Sequence, residues 1–153
     1  MRGKCLWVVA VVSLAAVGTL PGGEGTKAGK AVLKKIQGTW RFTKSVKDGK
    51  KVPKEDLAKM TITFKGDTWT VRKGDEVLQA GTHKFNPSKK LAQVDAVVTE
   101  GEGKGNTMKG IYELKGNTMR VCFDPEGKAR PKSFTAKEGQ FSAVVERVKK
   151  KKT

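Results

Sequence analysis

The chain is expected to fold as an all-β domain, an eight-stranded antiparallel up-and-down barrel, on three observations. Short segments alternate apolar and polar residues with period two, and glycine-containing turns separate them. Eight such segments follow in succession, the number at which a closed sheet just fits side chains or one small ligand inside it. A two-sheet β-sandwich is the competing architecture, and alternation alone does not separate the two.

The first residues stand apart from this pattern. Arg2 and Lys4 precede an apolar run from Cys5 to Val17, and Ala16, Val17 and Gly18 supply the small residues that precede cleavage in a secretory signal. The run is shorter than the roughly 20 residues a membrane-spanning helix needs, and Pro21, Gly22 and Gly23 follow it closely. Residues 1–18 are therefore read as a signal peptide and the chain as exported, to the periplasm, the cell envelope or the medium. Residues 19–32 are rich in glycine and read as a flexible linker, with a turn or two of helix expected from Ala31 to Ile36. The domain is placed at 33–148 and a basic tail at 149–153.

The strands follow in order. Trp40, Phe42 and Val46 share one parity in the first, Met60, Ile62 and Phe64 in the second, Trp69 and Val71 in the third. Further strands are expected at 76–85, 91–99, 107–114, 117–123 and 140–148, with a short extra one near Phe134. Gly66 with Asp67, Gly74 with Asp75, and Gly116 with Asn117 suit hairpin turns, because these residues accept positive φ. Between Lys47 and Lys59 the connection is longer. Pro53 to Ala58 could make one helical turn there, a candidate lid over one end of the sheet.

The formal charge is +17, and loss of residues 1–18 would leave +15 over 135 residues. Such an excess draws polyanions, and the run Lys149, Lys150, Lys151, Lys152 offers contacts for an anionic polymer. The same lysines equally serve solubility. Within the domain Cys122 is the only cysteine, so no intramolecular disulfide is expected, and its place among apolar strand residues reads as a small buried hydrophobe.

Catalytic and metal chemistry find little support. His83 is the one histidine, which removes triads and two-histidine metal sites, and its strand neighbours Thr82 and Lys84 suggest a partly exposed position. Glycines 101, 103 and 105 around Lys104 lack the Ser or Thr and the following helix of a phosphate loop. The carboxylates fall in or beside turns. No enzyme activity, metal or cofactor is expected.

The segment ending Ile36, Gln37, Gly38, Thr39, Trp40 occurs here with DGK at 48–50, Val52 and Pro53, TFKGD at 63–67, GIYEL at 110–114, CF at 122–123, then Pro125, Arg130 and Pro131. In these motifs and their order, residues 33–148 resemble an uncharacterised small domain family expanded in planctomycete bacteria. That family is described as lipocalin-like and has no established activity, so the resemblance implies the barrel and leaves its use open. The triplet Gly38, Thr39, Trp40 also resembles the G-x-W element of lipocalins. It implies that Trp40 closes one barrel end with a basic last-strand residue across it, for which Arg147 is the candidate. A small apolar ligand would then meet Trp40, Phe42, Phe64, Trp69, Tyr112 and Phe123, unless these aromatics simply fill the core.

Overall fold

The computed structural model describes residues 27–149. The expected signal peptide and the tail residues Lys150, Lys151 and Lys152 lie outside this range. Helix α1 (Lys27–Ile36) is followed by β1 (Gly38–Lys47), a two-residue β2 (Lys50–Lys51) and a short helix α2 (Lys54–Ala58). Then come β3 (Met60–Lys65), β4 (Thr68–Lys73), β5 (Glu76–Asn86), β6 (Gln93–Gly101), β7 (Thr107–Lys115), β8 (Thr118–Asp124) and β9 (Phe141–Arg147).

Successive strands pair antiparallel from β3 to β9, and β1 pairs with both β3 and β9, so eight strands close into a barrel. β2 is an extra strand beside the far end of β1. Closure removes the open edges that a sandwich would have to protect. The extra strand falls at Lys50–Lys51 and not near Phe134, which lies in the β8–β9 connection beneath the Arg120 guanidinium, 4.1 Å from Cζ to the ring centroid. That connection lies on the outer faces of β6 to β8, where Arg130 donates to the Val94 and Gly110 carbonyls and to Asp95. Ile111 and Cys122, which alternate with the inward residues Tyr112 and Phe123, are nevertheless buried on that outer side.

Helix α1 corrects the expected linker over 27–32, since it begins at Lys27. Val32, Leu33 and Ile36 recur at helical spacing and pack on the core, which supplies the burial a short helix needs. Helix α2 corrects the expected lid. Its buried Leu57 belongs to an element packed on β1 and β3, and none of its residues lines the barrel interior.

The parity of β1 also departs from simple alternation. The pairing with β9 shifts between Phe42 and Lys44, a bulge that reverses which residues face inward. Trp40 and Phe42 face the interior, but beyond the bulge Ser45 and Lys47 do, and Val46 turns outward.

Gly110 of β7 gives room to the Phe123 ring. A Cβ there would lie 2.4 Å from Phe123 Cδ1 and 2.8 Å from the Cys122 carbonyl oxygen. Gly110→Ala is therefore expected to destabilise the domain by about 1–3 kcal/mol through overpacking. Chemical denaturation would show it as a lower midpoint at unchanged slope.

Candidate functional site

The up-and-down order sends alternate connections to opposite ends of the barrel, and the two ends are built differently. One is shut. Ile36 and Trp40 are fully buried there, and the last carbonyls of α1, which lack partners inside the helix, are taken up by side chains. Trp40 Nε1 donates to the Ile36 oxygen (2.8 Å), Gln37 Nε2 to the Leu33 oxygen (2.7 Å), and Arg147 to the oxygens of Lys35 and of Gln37 (2.6 Å for the latter). Gln37 also exchanges hydrogen bonds with Gly66 in the β3–β4 turn. Arg147 Cζ sits 4.4 Å from the centroid of the Trp40 ring, within the range of a cation–π contact. Gly38, at φ +114°, turns the chain from helix to strand with its missing Cβ facing Arg147 Nη1, a conformation that favours glycine.

The other end is open and leads into a cavity of about 860 Å³. Phe42, Phe64, Trp69 and Phe123 line it, joined by Phe85 and Phe141 and by aliphatic residues such as Ile62, Val98 and Val145. Trp40 and Tyr112 do not line it. Both belong to the buried core, where Trp40 forms the plug described above and Tyr112 packs edge-on against Phe85 at a centroid distance of 4.9 Å. Burial pushes the Tyr112 phenol up to about 12. Trp40 and Tyr112 thus plug the end nearer α1, and the cavity runs from the mouth as far as Phe64, Phe85 and Met119.

His83 is the polar exception in this wall. The expectation of partial exposure is wrong, since it is 5% exposed and lines the cavity. Its rings of contact are Phe64 at 5.4 Å and Phe85 at 4.8 Å, and neither ring nitrogen has a hydrogen-bond partner among the described residues. Burial pushes the imidazole down to about 4, against the opposing pull of the Asp67 carboxylate. It is neutral near pH 7. The sequence held the signal for this position, because His83 shares parity with Phe85.

The rim is formed by the β1–β2, β6–β7 and β8–β9 connections, with Asp48, Glu102, Asp124, Glu126 and Glu138 outnumbering Lys47 and Lys128. These groups knit the loops together. Asp48 accepts from the Gly139 N–H (3.2 Å), Lys47 pairs with Glu102 (3.7 Å), and Lys128 pairs with Glu126 (2.7 Å). Burial pulls the Asp124 carboxyl up, but hydrogen bonds from the N–H groups of Ala129, Glu126, Lys128 and Gly127 outweigh it and hold the group below the ordinary value.

Other groups read from the sequence fall elsewhere. Cys122 is wholly buried, its thiol pushed up by burial, and Lys149 is exposed just beyond β9. Among the described residues no cluster of three or more His, Cys, Asp or Glu is placed to hold a metal, and no helix is long and apolar enough to cross a membrane. Comparison with protein families, with curated proteins and with solved structures gives no match to this chain.

Proposed function

We propose that this is an exported, non-enzymatic binding protein that takes a small apolar ligand into its barrel through the open end. The cavity carries the reading. Its volume of about 860 Å³ falls in the range of roughly 300 to 1,000 Å³ common to small-molecule sites, and its wall is apolar with a few polar groups, as such sites are. His83 supplies the deep polar contact. An imidazole with one free donor and one free acceptor in an apolar wall favours a ligand with a hydroxyl or carbonyl, since a buried polar group without a partner costs about 1–3 kcal/mol.

A hydrolytic reading lacks a constellation. Ser45 lines the cavity with His83, but the His83 nitrogens reach neither it nor any carboxylate, whereas an activated nucleophile needs a base within hydrogen-bond reach.

The test is a titration with a neutral apolar fluorescent probe at low and high salt. Binding should quench or shift tryptophan emission through Trp69, show little salt dependence, and lose that signal in Trp69→Phe. Ser45→Phe, which places a ring in the cavity, should weaken binding at least tenfold while the protein stays folded. A probe that binds the Ser45→Phe variant as tightly as the parent, or does not bind the parent at all, would sink the reading.

A further inference from the structure

The lysines look evenly spread along the sequence, but the fold sorts them. Among the described residues, the segments at the shut end carry Lys27, Lys30, Lys34 and Lys35 on α1, Lys89 and Lys90 between β5 and β6, and Lys149 beyond β9. Asp67 is their one acidic companion outside the strands. The segments that leave the open end, counting the long β8–β9 connection whose Arg130 and Phe134 lie back along the outer faces of β6 to β8, hold nine basic and seven acidic residues. All seven lysines of the shut end are exposed, and among the described residues none has an ion-pair partner, in contrast to Lys47, Lys73 and Lys128 near the mouth.

This end also carries exposed apolar residues. Leu91, 40% exposed, follows Lys89 and Lys90 directly, and Val148, 43% exposed, precedes Lys149. Lys35, Lys89, Lys90 and Leu91 line one depression with Val32, Phe134 and Glu113, whose carboxylate is already paired with Lys115 and Arg120. Unpaired ammonium groups around a protruding leucine fit a surface that is anionic outside and apolar just beneath.

We propose that the shut end is a docking face for an anionic lipid bilayer, with the lysines on the headgroup phosphates and Leu91 in the boundary layer. The apolar residues among the lysines favour a bilayer over a nucleic acid, which draws affinity from phosphate contacts and, when single-stranded, from aromatic stacking. Among the described residues no tryptophan or tyrosine of this end is exposed, and the half-buried Phe134 at the depression has its ring covered by Arg120. Docked this way, the protein presents its open mouth to the aqueous side. This inference is independent of whether the cavity holds a ligand.

The test uses the full chain and co-sedimentation with vesicles of pure phosphatidylcholine or of phosphatidylcholine with phosphatidylglycerol. Residues 1–26 are common to every arm, so the difference between the two lipids isolates the charge effect. Lys35→Glu, Lys89→Glu and Lys90→Glu together should weaken binding to the anionic vesicles by about a hundredfold or more, given roughly a fivefold contribution per basic residue at such a surface. Lys50→Glu, Lys51→Glu and Lys54→Glu, at the opposite end and equal in charge change, should weaken it by less than about tenfold through the long-range field alone. Leu91→Ala should cost a further few-fold. The pair Lys89→Glu and Lys90→Glu, outside all helices and strands, serves if the first triple proves unstable. Equal losses from the two triples, or no preference for the anionic vesicles, would overturn the proposal. So would binding of duplex DNA through these lysines without any binding of vesicles.

Discussion

Trp40→Ala is expected to lower the stability of the protein by about 3–5 kcal/mol, the range for removing a fully buried large aromatic. That is a large part of the 5–15 kcal/mol typical of a whole domain. Trp40 is 0% exposed, so truncation removes its full apolar contact and leaves space that α1 and the strands cannot close without shifting. Two further effects add to the loss. The Ile36 carbonyl loses its donor, and the Arg147 guanidinium, 4.4 Å from the ring centroid, loses the π face beneath it. Arg147→Met separates these contributions, because it keeps the tryptophan buried but deprives the Lys35 and Gln37 carbonyls of a donor. It is expected to cost about 1–3 kcal/mol. Denaturant unfolding followed by circular dichroism measures both, and a loss below about 1 kcal/mol for Trp40→Ala would show that the plug is not structural.

The second large effect is a dependence of stability on pH that one residue carries. His83 titrates near 4 in the folded protein against an ordinary value of 6.5. Between those values the unfolded chain binds a proton that the folded chain does not, so stability rises with pH across this window. Going the other way, stability is lost as pH falls from about 6.5 to about 4, by up to about 3 kcal/mol at 1.36 kcal/mol per pH unit. His83→Phe keeps a ring between Phe64 and Phe85 and removes the titrating group, so this loss should vanish. The variant should also be no less stable than the parent near pH 7, because it replaces a polar group without partners. Midpoints of urea unfolding at pH 7 and pH 5 for both proteins measure the effect. An equal fall in both would assign the acid sensitivity to other groups.

Much of the architecture was legible because strand alternation and turn chemistry are local. The hairpins at Gly66, Gly74 and Gly116 follow from residues that accept the required backbone conformation, and the five later strands begin and end within two residues of where alternation puts them. The pairing of Trp40 with Arg147 could be anticipated from parity along β9 and the G-x-W triplet.

What the sequence alone determined about this protein is therefore the eight barrel strands and their order; what only the tertiary structure decided is the extra strand β2 and which residues the strands bring together. The bulge after Phe42 is fixed by the pairing of β1 with β9, about a hundred residues apart in sequence, and one extra residue there sends Val46 outward and Ser45 inward. His83 reads as a partly exposed residue beside Thr82 and Lys84, and is interior because closure of the barrel turns the face it shares with Phe85 into the cavity wall. The cavity arises from a volume difference between the wall and the side chains that point from it, a quantity summed over eight strands and invisible in any one. The concentration of unpaired lysines at one end has the same origin. They come from three stretches far apart in the chain, α1, the β5–β6 connection and the residue beyond β9, and the alternation of the strands between two ends brings these together.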